Sequence, residues 1–128
     1  MLRAVPVERA HEHPTFEIGG NTVTSLAAPA RGSTEAALFR ADVPPGGGLP
    51  PHRHDHFDVF TVTAGRCEAH VGDEVATLEP GDAVVVPPGD LHWIEAGPEG
   101  TSIVVTMHPG TQLIREDDGS AIVPPWVS

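Results

Sequence analysis

Pro50-Pro51-His52-Arg53-His54-Asp55-His56-Phe57-Asp58 places three histidines and two aspartates within nine residues. On an extended strand alternate side chains share a face, so His52, His54 and His56 point one way while Arg53 and Asp55 point the other. Residues two apart lie about 6.5 Å apart along a strand. Two imidazoles at that spacing can converge on one ion above the strand, each nitrogen about 2.1 Å from the metal. Asp58 shares the histidines' parity but lies four residues beyond His54. It reaches the same ion only if the chain bends after His54. A polar loop with three solvated histidines has the same local pattern, so this segment alone leaves both readings open.

Outward from this stretch, fourteen glycines and fourteen prolines leave few windows long enough for a helix. Between them lie runs rich in Val, Ile, Thr and Phe, which read as strands. Strands are expected over 16–18, 22–26, 36–43, 57–63, 67–71, 74–78, 83–86, 92–95 and 101–107. Turns fall at 19–21, 44–48, 64–65, 72–73, 79–82, 87–90 and 97–100. Many short strands at this spacing predict an all-β sandwich or barrel. Residues 1–14 and 109–128 read as arms around a barrel at 15–108. Ile122, Val123 and Trp126 are expected to pack on the barrel or on a second subunit, because an exposed tail tryptophan is unusual.

The chain has 128 residues, enough for one domain with a single core. Its formal charge of −11 repels phosphate backbones and anionic lipid, so neither nucleic acid nor membrane is an expected partner. No apolar run approaches the roughly 18 residues of a membrane span. The opening Met1–Pro6 lacks the apolar core of a signal peptide, so a cytoplasmic location is expected. The single cysteine, Cys67, allows no internal disulfide. All seven basic residues are arginines and tyrosine is absent, which excludes lysine Schiff-base chemistry and a tyrosine acid.

Gly46-x5-His52-x-His54-x3-Asp58-x6-Gly65 resembles the first motif of the cupin family, G-x5-H-x-H-x3,4-E-x6-G. Fifteen residues later, Gly81-x5-Pro87-x-Gly89-x2-His92 resembles the second, G-x5-P-x-G-x2-H-x3-N. The resemblance implies a cupin jelly-roll barrel (a double-stranded β-helix), usually paired as a homodimer, with ligands in its mouth. Carried over, His52, His54 and His92 match the family's histidines, and Asp58 stands at its glutamate. Ala96 occupies the terminal asparagine position. One methylene fewer withdraws the Asp58 carboxylate by about 1.5 Å, whereas metal–oxygen bonds tolerate a few tenths. Three solutions follow: a strand shift, binding through water, or a three-histidine site. His56 is then a fourth ligand or, preferably, a residue of the rim.

Such a set implies one divalent transition metal, Fe, Mn, Ni, Co or Zn. Phe39, Phe60, Val62, Ile94 and Met107, with Val84 and Val86, are expected inside the barrel, as core and, near the mouth, as substrate pocket. The activity implied is a quercetinase-like dioxygenase acting on a small organic molecule, with Asp58 as acid/base if it is not bound to the metal and His56 in reserve. A metal-assisted isomerase or polyketide cyclase, and a non-catalytic ligand-binding barrel, are the alternatives. Trp93 is expected to face outward, His70 to be exposed on its hairpin, and Cys67 to be a packing residue. Gly46, Gly65, Gly81 and Gly89 are expected at positive φ.

Overall fold

A computed structural model describes residues 6–128. The first five residues of the N-terminal arm, on which the reading of the chain's start rests, lie outside the described residues. The elements are β1 (Thr15–Ile18), β2 (Asn21–Ala27), β3 (Ala37–Val43), β4 (Gly48–His54), β5 (Asp58–Val71), β6 (Glu74–Leu78), β7 (Ala83–Val86), β8 (His92–Met107), β9 (Leu113–Arg115) and β10 (Ala121–Ile122). Three single-turn 3-10 segments, Ala10–Glu12, Pro29–Arg31 and Pro125–Val127, are the helical elements among the described residues. None is long and apolar enough to cross a membrane.

All strand pairs are antiparallel, along the path β1-β2-β3-β8-β4-β9-β10, with β5 joining β8 to β6 and β7. Two fusions reduce the nine expected strands to seven observed ones. The runs 57–63 and 67–71 form one strand, β5, and 92–95 and 101–107 form another, β8. A straight strand of sixteen residues spans about 50 Å. Yet the two ends of β8 meet: Met107 pairs with Asp58, whose carboxylate lies 3.4 Å from His92. The long β5–β8 ladder therefore doubles back on itself, and this curl makes a barrel of the jelly-roll kind from one sheet.

The fold-back sits at register breaks between Val62 and Ala64 and between Gly65 and Cys67. Gly65 has φ +68°, and a Cβ there would overlap the carbonyl oxygen of Gly100, so the corner admits only glycine. Gly46, Gly81 and Gly89 are also at positive φ. The breaks reverse the inward parity of β5. Phe60 and Val62 are buried before them, Cys67 and Ala69 after them, all in one apolar core.

β3 alternates cleanly, with Ala37, Phe39, Ala41 and Val43 buried. A turn was expected over 44–48 and no strand was assigned over 49–56, and Pro50-Pro51 cannot donate to a ladder. β4 is a strand from Gly48, and its register with β8 breaks between Leu49 and His52, where the prolines stand. At the C-terminus Trp126 packs edge-on to Phe39 and tilted to Phe16, and Val127 is fully buried. Ile122 and Val123 are instead 54% and 40% exposed. The two-residue β10 is the last strand of the sheet path and among the described residues pairs only with β9, which leaves both side chains exposed there.

Candidate metal centre

His52 and His54 lie on β4, His92 begins β8, and the two strands pair at His52↔His92. The three imidazoles gather with ring centroids 4.2 to 5.1 Å apart. One nitrogen of each lies within 4.8 Å of the others. Each ring is held by its Nδ1, which donates to a backbone carbonyl: His52 to Pro50 at 2.8 Å, His54 to Gln112 at 3.0 Å and His92 to Asp90 at 2.9 Å. A carbonyl only accepts, so the hydrogen of each neutral ring is on Nδ1 and Nε2 carries a lone pair. Three rings in that tautomer are three prepared ligands.

Asp58 stands beside two of the three imidazoles. The chain does bend after His54, at Asp55–His56, and resumes as β5 at Asp58. Its Oδ2 lies 3.1 Å from Nε2 of His54 and 3.4 Å from Nε2 of His92. Donor atoms bonded at about 2.1 Å to one ion sit about 3.0 Å apart in an octahedron and about 3.4 Å in a tetrahedron. The short side chain comes to this spacing from two of the three imidazoles, because the bend and the register of β5 bring its backbone closer.

A carboxylate oxygen facing two lone pairs, with the side chains of Asp58, His54 and His92 all about 5% exposed, is repulsive unless a cation lies between. A metal ion or extra protons on the rings can supply it. In the metal-free protein burial alone would raise the Asp58 carboxyl, but the adjacent His54 and His92 rings outweigh it and hold it at about 2. His52 is lowered to about 4, chiefly by burial and then by the neighbouring charge of His92, which favours the neutral, ligating form. Nε2 of His92 and Oδ1 of Asp58 are buried without a hydrogen-bond partner. The donor set and these orphaned atoms fit a divalent ion.

The C-terminal segment fastens the centre. β9 pairs along β4 with His54↔Leu113 and His52↔Arg115. Gln112 accepts from His54 through its carbonyl, and its N–H donates to Asp55 Oδ1 at 2.7 Å. Arg53 donates to the Gly89 carbonyl and pairs with Glu116, while the Gly89 N–H donates to the His54 carbonyl. Asp55, Gln112 and Glu116 were not singled out from the sequence. Gln112 acts through its backbone, which no residue type announces; the opposite charges of Arg53 and Glu116 were the one available signal.

His56 stands apart, exposed on the bend and stacked on His108 at 5.1 Å. It does not join the imidazole cluster, because the bend that admits Asp58 ends the strand parity. Phe39, Phe60, Val62, Ile94 and Met107 are 1–8% exposed and belong to the core. The barrel interior at their level is filled by these side chains. Val86 is buried with them and Val84 half-buried. Cys67 is a buried packing residue whose thiol is pushed up by burial. Trp93 and His70 stack on the outer face of the sheet, and His70 is less exposed than its hairpin position implied.

The family model described as a cupin domain matches residues 39–108. The chain belongs to the cupin family. Among curated relatives, this cupin is 38% identical over 85 residues to germin-like protein subfamily 3 member 1 of Arabidopsis thaliana, covering 59% of this chain and 41% of that protein. It is 35% identical over 57 residues to a gentisate 1,2-dioxygenase of Haloferax sp, covering 44% and 15%. The cupin thus spans less than half the length of these relatives. Among solved structures, an RmlC-like cupin from Shewanella frigidimarina aligns with TM-score 0.73 at 24% identity over 91% of this chain and 98% of that one. The polyketide cyclase RemF of Streptomyces resistomycificus aligns with TM-score 0.71 at 21% identity over 93% and 89%. These two likenesses establish the jelly-roll fold.

Proposed function

We propose that this cupin holds one divalent transition metal through His52, His54, His92 and Asp58 and oxygenates a small, largely apolar molecule, in the manner of the quercetinase-like dioxygenases. The observation that carries the reading is the shared tautomer of three converging imidazoles facing a buried carboxylate. Bound there, an ion such as Fe, Mn, Ni or Co supplies Lewis acidity and reactivity toward oxygen. The likeness to a gentisate 1,2-dioxygenase supports the choice of dioxygen chemistry.

The chain's own groups take the remaining parts. Asp58 turns Oδ2 to the imidazoles and keeps Oδ1 buried without a partner, so it handles a substrate hydroxyl proton only when it is not itself bound to the metal. It is ionised at neutral pH, so it begins as a base. His56 and His108 stand exposed at the bend as a reserve proton acceptor. The apolar side chains beneath the centre exclude water from one side of the bound molecule. A homodimer in the cytoplasm belongs to the same reading, and light scattering that gave a monomer would count against it.

The test is oxygen uptake by metal-reconstituted protein with flavonols and dihydroxybenzoates. Uptake lost in Asp58→Asn supports the reading. Turnover that proceeds unchanged under strict anaerobiosis overturns it in favour of an isomerase or cyclase, and tight ligand retention without turnover in favour of a binding barrel.

A further inference from the structure

We infer that the outer face of the β5–β8 ladder carries a second divalent-cation site, built from Glu68, His70 and Glu95. It is separate from the buried histidine centre. After the register breaks of β5, even-numbered residues face outward, so Glu68 and His70 share a face with their β8 partners Glu95 and Trp93. Three observations meet here.

Glu68 and Glu95 are directly opposed across the ladder, and like charges in that position destabilise a sheet. Among the described residues no arginine lies within ion-pair distance of either; the basic group near both is His70, with Nε2 3.8 Å from a carboxylate oxygen of each. At 3.8 Å neither contact is a hydrogen bond. Nε2 is nonetheless buried and without a partner, although orphaned buried polar atoms are costly.

The imidazole is also pre-set. Its ring stacks on the Trp93 indole at 4.4 Å and 8°, which fixes the plane in which Nε2 points between the two acids. Ligating atoms of the three residues lie within 4.8 Å of one another, and small rotations of the glutamates bring them to the spacing of ligands on one ion. The side chains of Glu68 and Glu95 are 54% and 60% exposed, so the site opens directly to solvent. One imidazole and two carboxylates suit Zn(II), Co(II) or Ni(II). An open site of three ligands exchanges its ion on dialysis, unlike the buried centre.

Metal-stripped, untagged full-length protein is titrated with Ni2+ at neutral pH, with calorimetry and tryptophan fluorescence followed together. Paramagnetic Ni2+ beside His70 quenches Trp93, and Trp93→Phe identifies that part of the signal. Two ions per chain are expected. His70→Ala and Glu95→Gln each reduce the count to one and abolish the Trp93 quenching. His54→Ala removes the other ion and leaves the quenching intact. Quenching that survives both His70→Ala and Glu95→Gln, or a stoichiometry that neither changes, overturns the second site. Failure of the buried centre would show instead as a count unaffected by His54→Ala.

Discussion

Replacing Asp58 with asparagine keeps the shape of the side chain and removes its charge. Asp58 Oδ2 lies 3.1 and 3.4 Å from two ligating nitrogens, so an ion held by those nitrogens is within about 4 Å of the carboxylate. At an effective dielectric of about 20, unit charges at that separation interact by about 4 kcal/mol. Even half of this, for a carboxylate that Asn can partly replace as an oxygen ligand, is about 2 kcal/mol, or roughly thirtyfold in affinity. Asp58→Asn is therefore expected to weaken Zn2+ or Co2+ binding by at least about thirtyfold, measured by competition with a chromophoric chelator. His56→Ala, on the exposed bend, stays within about twofold of the parent. An Asp58→Asn protein that binds within about threefold of the parent would refute the reasoning, because the carboxylate would then be neither ligand nor counter-charge.

Asp55→Ala breaks the hydrogen bond that holds Gln112 and is expected to cost about 10- to 100-fold in metal affinity at the buried centre; unchanged affinity by the same competition would remove the C-terminal segment from the site. His52 titrates near 6.5 when unfolded and near 4 when folded, so the unfolded chain binds more protons between those values. The metal-free protein then loses stability as pH falls from 6.5 through about 4, by at most on the order of 3 kcal/mol. Urea unfolding should show His52→Gln with a shallower loss over this window, and an equal slope would contradict the assignment. Gly65→Ala, at positive φ and against the Gly100 carbonyl, is expected to destabilise by more than about 2 kcal/mol, read as a lowered urea midpoint.

Much of this was legible because it depends on local rules. Alternation placed the inward faces of β3 and β8, and the spaced histidines and glycines carried the family motifs. Two things were not legible. Glycine and proline marked breaks in 64–66 and 96–100, but local signals cannot tell an end of a strand from a corner in a continuous one, so β5 and β8 each read as two strands. Asp58 was judged by side-chain length on an extended backbone, whereas its reach depends on the bend at Asp55–His56 and on pairing with Met107, forty-nine residues away. The part played by Gln112 is a backbone contact across fifty-eight residues, which leaves no mark in residue type.

Elemental analysis of untagged protein after exhaustive dialysis decides whether His52, His54 and His92 hold an ion. Close to one equivalent of a divalent transition metal per chain is expected, lost in His54→Ala and retained in His70→Ala. Substoichiometric metal under every condition of growth and reconstitution would contradict that expectation.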